Sequence, residues 1–340
     1  MTTWADAHAR AAVLASELQA DLGISLDRPV DVFDAVRRLG IVLAFSPLGR
    51  VSGLYLPGGL SPGILLNSGH PRTRQRYTAS HELGHHRFGH AAEIDHDLES
   101  LARADVSRWS DQEKEAEAFG AWFLMPRRLM RAGLEDLGIG RPKAPSDVYA
   151  LSLWLGTSYT ATARQLGTTR LASNSDVETW SRIPPSDVKR TLVGDMAPDD
   201  LRQDVWWLDD RSKHHSVDAR PGDRVVLTLG EIPSSGFMWR MVDLPVGVRV
   251  LADSATDDWE PALFEPDLSD DVEYAGNAQA RSFLLEVEPS QTERATEVTL
   301  VKDRAWSTNA TPVDRFSVSL SIHPPLHGLQ VSASDLALTH

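Results

Sequence analysis

The run 78-TASHELGHHRFGHAAE-93 sets His81 and His85 four residues apart, with Glu82 between them. On a helix, positions i and i+4 lie one turn apart on one face, so both imidazoles can reach a single divalent ion. Glu82 lies beside that face and can reach a water held by the same ion, where a carboxylate serves as general base. This is the HExxH spacing, and its chemistry is metal-assisted hydrolysis. His86 falls about 100° round the helix from His85, and His90 falls roughly opposite His81. Both read as surface side chains or as groups hydrogen-bonded behind a ligand. A longer pattern with a third histidine in the same run would need Gly at 88 and His at 91, where the sequence has Phe88 and Ala91.

A catalytic zinc site has three protein ligands and one open position. With no cysteine in the chain, the third ligand must be His, Asp or Glu. The segment 112-QEKEAEAFGAWFLM-125 offers Glu113, Glu115 and Glu117. At helical spacing Glu113 and Glu117 share one face and Glu115 points away. One of the pair can bind the ion while the other orients a ligand histidine.

These groups must be held by regular elements. Residues 1–22 read as an amphipathic helix, because Asp6, Arg10 and Glu17 interrupt the run at helical spacing and no basic stretch precedes it. Residues 30–39 read as a second helix, between Pro29 and Gly40. Short strands follow at 41–45, 51–56 and 63–67, then a long helix over 72–90 and a polar acidic stretch over 93–112. A helix over 112–125 stops at Pro126, and two more surround Gly156 within 146–169. From Val205 onward the texture is alternating runs between turns: DRVVLTLGE, GFMWRMV, GVRVLA, RSFLLEVE, TEVTLVK and RFSVSLSI. That is an all-β pattern. The expected organisation is a domain over 1–172, a linker over 173–204, a β-sandwich over 205–325 and a poorly ordered tail over 326–340.

Charge separates the halves. Residues 1–172 carry 19 basic and 19 acidic side chains, whereas 173–340 carry 15 and 29, which is the whole of the net −14. The second half would repel a phosphate backbone. The segment 149-YALSLWLGTSYTATARQLG-167 has the outline of a helix-turn-helix, but only Arg164 and Arg170 lie near it, too few for a DNA contact. It is read as a packing or partner-docking pair, and direct DNA binding is not expected. No apolar run approaches the ~18 residues that span a bilayer, and the lack of cysteine suits the cytoplasm.

The two runs RQRYTASHELGHHRFGH and EKEAEAFGAWFLMP resemble the ImmA/IrrE family of metallopeptidases, whose pattern is R-[FY]-T-x-A-HELGH followed by E-x-x-A-[ND]-x-F-A-x-x-L-L-M-P. RPVDVFDAVRRLGIVL and GILLN resemble that family's upstream region, so the resemblance spans about residues 8–170. It implies an α+β zincin-like domain holding one Zn2+ per chain through His81, His85 and Glu113, with Glu82 as general base. Glu117 stands where the family usually has Asn or Asp, and Ser80 where it usually has Ala. Glu117, Tyr77 and His86 are candidates to orient a ligand or to stabilise an oxyanion. The resemblance also implies a protein substrate of regulatory type, such as a helix-turn-helix repressor or a phage- or stress-response partner.

Three pieces of the second half, EIPSSGFMWRM, YAGNAQARSFLLEV and DRAWSTNATPVDRFSVSLSI, together resemble the chagasin family of cysteine-protease inhibitors. Its immunoglobulin-like sandwich presents loops reading N-P-T-T-G-[YF]-x-W, G-x-G-G and R-P-W. The first is matched by Pro233, Ser234, Ser235, Gly236, Phe237 and Trp239, the second by Gly276 alone, and the third by Arg304 and Trp306 around Ala305. The loss of glycines in the middle loop argues against close backbone approach to a protease. Two functions stand as expectations. One is a zinc endopeptidase whose sandwich recognises substrate or regulates access. The other is a non-catalytic sensor or inhibitor-like binder acting through the sandwich loops.

Overall fold

The structure is a computed structural model that describes residues 2–58, 61–90, 109–200, 202–213, 216–231, 233–256, 259, 279–289, 293–304, 311–323 and 326–330. The chain divides into two compact units, residues 1–182 with 325–340, and residues 183–324.

In the first unit, helix α1 (Trp4–Asp21) starts at Thr3, which forms a capping box with Asp6 and satisfies N–H groups that the helix leaves unpaired. Its Ala7, Ala11, Ala15 and Leu18 are buried. Helix α2 (Val32–Arg38) is capped by Asp31. Three short strands follow, β1 (Val42–Ser46), β2 (Gly53–Leu56) and β3 (Gly63–Asn67). β1 runs parallel to β3, and β2 runs antiparallel to it. Helix α3 (Arg72–Phe88) carries the histidine run and ends at Gly89, which has φ +70°. Helix α4 (Asp111–Leu124) is capped by Ser110. Its start falls one residue before the expected 112, and Pro126 follows its end. Helices α5 (Arg127–Asp136), α6 (Pro145–Leu155), α7 (Tyr159–Thr168) and α8 (Asn174–Ser181) complete the unit's helices among the described residues. The Arg76 guanidinium on α3 donates to the Leu155 and Gly156 carbonyls and to that of Val30, tying α3 to the end of α6.

Two expectations need revision here. Residues 173–204, read as a linker, contain the boundary between the units and are helical on both sides of it, holding α8 and α9 (Pro185–Val193). Ser173 and Asp176 form a capping box at α8, and Pro185 occupies the first turn of α9, both ordinary helix starts. The start of the tail is ordered too. Residues Gly328–Gln330 form strand β12, which pairs antiparallel with β1, giving a sheet of order β12-β1-β3-β2. The edge of β1 would otherwise leave backbone groups unpaired. The rest of the tail, 331–340, lies outside the described residues.

The second unit holds α9 and two four-stranded sheets. One has the order β5 (Ser216–Ala219), β11 (Asp314–Ile322), β10 (Arg294–Arg304), β7 (Phe237–Asp243). The other has the order β4 (Val205–Asp209), β6 (Arg224–Glu231), β9 (Gln279–Val287), β8 (Val248–Asp253). Alternate residues such as Val225, Leu227 and Leu229 on β6, and Phe316, Val318 and Leu320 on β11, enter one buried apolar cluster with Trp239. Those residues alternate along each strand and so share one face; on β6 the intervening Val226 and Thr228 are buried as well. Among the described residues of the chain, no helix is long and apolar enough to cross a membrane.

Candidate metal centre

The centre depends on how closely α3 and α4 approach. A Cβ on Gly84 would stand 2.9 Å from the Ala116 Cα, and one on Gly120 would stand 3.0 Å from Ser80 Oγ and 3.3 Å from the His81 nitrogen. Only glycine allows backbones this near. The approach carries Glu113, in the first turn of α4, onto the face of α3 that bears His81 and His85.

One donor atom from each of His81, His85 and Glu113 lies within 4.8 Å of the others. Glu113 Oε2 is 3.2 Å from His81 Nε2, and Glu113 Oε1 is 3.3 Å from His85 Nε2. The two Nε2 atoms are 3.0 Å apart. All three side chains are buried, His81 at 0% exposure and Glu113 at 8%. Glu113 Oε2 is buried yet makes no aligned hydrogen bond. Donor atoms that converge this closely on one point are what a cation needs, and the N,N,O donor set suits a divalent metal. The residues therefore fit a metal ion.

Each ring is backed on its far side. His81 Nδ1 lies 3.5 Å from Glu117 Oε2, and Glu117 Oε1 accepts a 2.8 Å hydrogen bond from the Tyr77 hydroxyl. His85 Nδ1 lies 3.0 Å from His90 Nδ1, and His90 Nε2 lies 3.1 Å from Glu115 Oε2. Arg10 on α1 pairs with the other Glu115 oxygen. Burial alone would lower the His81 pKa, but the Glu113 and Glu117 carboxylates override it and raise it well above its ordinary value. Burial likewise pushes Glu113 up, and the facing His81 and His85 rings outweigh that and hold it well below the carboxylate range. Tyr77 is raised, by burial first and by Glu117 second.

Glu82 is buried beside His81, and a Cβ on Gly53 would stand 3.2 Å from its Oε1, so β2 backs onto this carboxylate. Tyr77 is committed to Glu117, on the side of His81 away from the ligand cluster. His86 turns to β2, where its Nδ1 lies 2.9 Å from the Tyr55 hydroxyl. Sequence reasoning left His90 either on the surface or behind a ligand, and did not connect it with Glu115 and Arg10; the structure places it behind His85. Glu115 does point away from the Glu113 and Glu117 face, but into a buried contact with His90. Gly89 was the available signal: a left-handed residue ends α3, so His90 leaves the helical path and folds back onto His85.

In the second unit, Ser234 and Ser235 are exposed in a short turn over Pro233–Ser235. Ser235 Oγ accepts from the Phe237 backbone N–H at 3.2 Å. Phe237 pairs in register with Arg304, whose guanidinium carbon lies 4.6 Å from the Phe237 ring centre. The end of the first loop and the start of the third thus lie side by side. Gly276 and Trp306 lie outside the described residues.

With the ligand cluster in place, comparison with known proteins becomes specific. Residues 36–139 match the family model Peptidase_M78, the IrrE N-terminal-like domain. The matched IrrE-like segment contains His81, Glu82, His85, Glu113 and Glu117, and it supports a metallopeptidase-like function for the first unit. Helix α1, with Arg10, lies before it. Among solved structures, the chain is similar to the cysteine protease inhibitor EhICP2 from Entamoeba histolytica, at 15% identity over 36% of this chain and 97% of that one, with a TM-score of 0.26. It is also similar to Amebosin, at 13% identity over 36% of this chain and 98% of that one, with a TM-score of 0.24. At these TM-scores neither likeness carries an argument. No curated protein matches the chain.

Proposed function

We propose that the chain is a zinc-dependent endopeptidase acting on a specific regulatory protein. The observation that carries this reading is the convergence of His81, His85 and Glu113 on one buried point beside Glu82. These three residues would hold the ion, and the N,N,O set suits zinc. When bound, such an ion lowers the pKa of water and polarises a carbonyl. Glu82 takes the proton from the attacking water and delivers it to the leaving amine. Glu117, held by Tyr77, lies 3.5 Å from His81 Nδ1, and its charge keeps Nε2 directed at the ion. The buried wall of α4 excludes bulk water, which strengthens each of these interactions.

Elemental mass spectrometry of parallel preparations tests the ligand set. About one zinc per chain is expected in the wild type, lost in Glu113→Ala and retained in Glu117→Ala. Glu82→Gln is expected to keep the metal and lose cleavage of a mixed peptide library. Zinc retained in Glu113→Ala would remove that residue from the ligand set, and undiminished cleavage by Glu82→Gln would remove the general base.

The second unit is proposed to be an immunoglobulin-like sandwich that recognises the protein substrate or regulates its access. The adjacency of the Ser234–Phe237 turn and Arg304 favours a recognition edge. Once a cleaved protein is in hand, Ser235→Trp and Arg304→Glu are expected to raise KM several-fold while kcat and zinc content stay constant. Unchanged KM in both variants would turn the assignment away from this edge. A non-catalytic sensor working through the same loops instead predicts that Glu82→Gln leaves biological activity intact.

A further inference from the structure

His85 is unusual in what stands behind it. His81 has a carboxylate against its far nitrogen, whereas His85 has a second imidazole. That imidazole is fixed from every side. Gly89, at φ +70°, turns the chain out of α3, and the His90 backbone N–H donates to the His85 carbonyl at 3.0 Å. The His90 ring stacks on Phe88, with centroids 5.3 Å apart and planes at 12°. The Arg10 guanidinium carbon lies 5.2 Å from the Phe88 ring centre and the guanidinium pairs with Glu115, which meets His90 Nε2 at 3.1 Å. His90 and Glu115 are both buried.

The hydrogen-bond roles follow in one direction only. His85 directs Nε2 at the ligand cluster, 3.3 Å from Glu113 Oε1, so as a ligand it must keep a lone pair there. Its proton then sits on Nδ1 and needs an acceptor. His90 Nδ1, at 3.0 Å, accepts it. The His90 proton therefore sits on Nε2 and is donated to the Glu115 carboxylate, whose charge Arg10 balances.

We infer that His90 is a positioning residue for the metal centre, fixing the tautomer and ring orientation of His85 through a His85–His90–Glu115–Arg10 chain. The inference rests on the metal-centre reading above. It also gives α1 a role: its Arg10 lies outside the matched IrrE-like segment and anchors the Glu115 side chain.

The test is zinc affinity of the full-length protein, measured by competition with a chelator, together with the visible absorption of the cobalt-loaded protein. His90→Leu removes the acceptor and keeps an apolar side chain of similar bulk. Its zinc affinity is expected to fall by about 10- to 100-fold, with a changed cobalt spectrum and an unchanged far-ultraviolet circular dichroism spectrum without metal. His90→Gln can accept from His85 and donate to Glu115, so it is expected to recover most of the affinity. His85→Ala serves as the ligand control. If His85→Ala loses zinc while His90→Leu binds it like wild type, the metal centre stands and the positioning chain is overturned. If His90→Gln and His90→Leu are equally weak, packing explains the effect and the inference also falls. If wild type and His85→Ala both bind no zinc, the metal-centre reading fails and takes this inference with it. Should His90→Leu not fold, His90→Gln decides: near-wild-type affinity supports the chain, and a loss equal to that of His85→Ala overturns it.

Discussion

The two units bury charge for different ends. In the second unit each buried charge named here is tied to a backbone donor or to an opposite charge that joins two elements. Asp223 accepts from the Asp204 and Arg220 backbone N–H groups and from Trp206 Nε1. Glu231 accepts from the Trp239 N–H, Asp303 pairs with Arg240, and Lys189 on α9 pairs with Asp204 ahead of β4. These contacts are complete within the chain. In the first unit the donor atoms of His81, His85 and Glu113 face one another at 3.0, 3.2 and 3.3 Å, and Glu113 Oε2 makes no aligned hydrogen bond. Burying such groups without complete compensation is costly, and this cluster could hold a metal ion. The lesson is that buried charge alone does not identify a candidate site; the convergence of donor atoms does.

The largest expected effect that would break this contrast lies in the second unit. Trp239 is 2% exposed, its Nε1 donates to the Gly230 carbonyl at 3.0 Å, and Lys302 Nζ lies 5.5 Å from its ring centre. Trp239→Ala should cost ~3–5 kcal/mol of that unit's stability, through lost burial and a cavity. Zinc affinity should not change, because all three proposed ligands come from the first unit. Denaturant unfolding and chelator competition on the same preparation would check both halves. A zinc affinity that falls in step with the unfolding midpoint would mean that the units do not divide stability and chemistry between them.

The legibility of the sequence follows the same division. His81 and His85 were readable because their relation is local: four residues on a helix fix two side chains on one face. Glu113 was not readable from spacing, since its place depends on α3 and α4 meeting at Gly84 and Gly120, a long-range contact that periodicity does not encode. The family resemblance, not the geometry of the run, placed the ligand there. The contact of His90 with His85 was not readable, because a helix extended past Gly89 puts His90 opposite His81, whereas the left-handed turn at Gly89 folds it back. In the second half, six strand runs were legible from period-two alternation, which is what produces the buried cluster around Trp239. The helices α8 and α9 were hidden inside a stretch read for its prolines, although Ser173, Asp176 and Pro185 are helix-start signals. Strand β12 is three residues long and has no period to detect; only the unpaired edge of β1 gives it a partner.

A smaller effect would sharpen the account of the first unit. Gly84→Ala adds a methyl group that must push against the Ala116 backbone, since its Cβ would lie 2.9 Å from the Ala116 Cα and 3.1 Å from the Phe119 Cβ. Overpacking of this kind costs ~1–3 kcal/mol. Alanine in place of glycine inside a helix returns ~1 kcal/mol, so the net loss of stability should be small, about 0–2 kcal/mol. Zinc affinity should respond more, because any parting of α3 from α4 moves Glu113, three residues before Ala116, away from both histidines. The separation of the two readouts is the point: a thermal midpoint near wild type with zinc bound several-fold more weakly identifies the helix approach as the device that assembles the centre. A variant more stable than wild type that binds zinc as tightly would show instead that α4 can shift while Glu113 follows the histidines, and that glycine at 84 is not what brings the third ligand in.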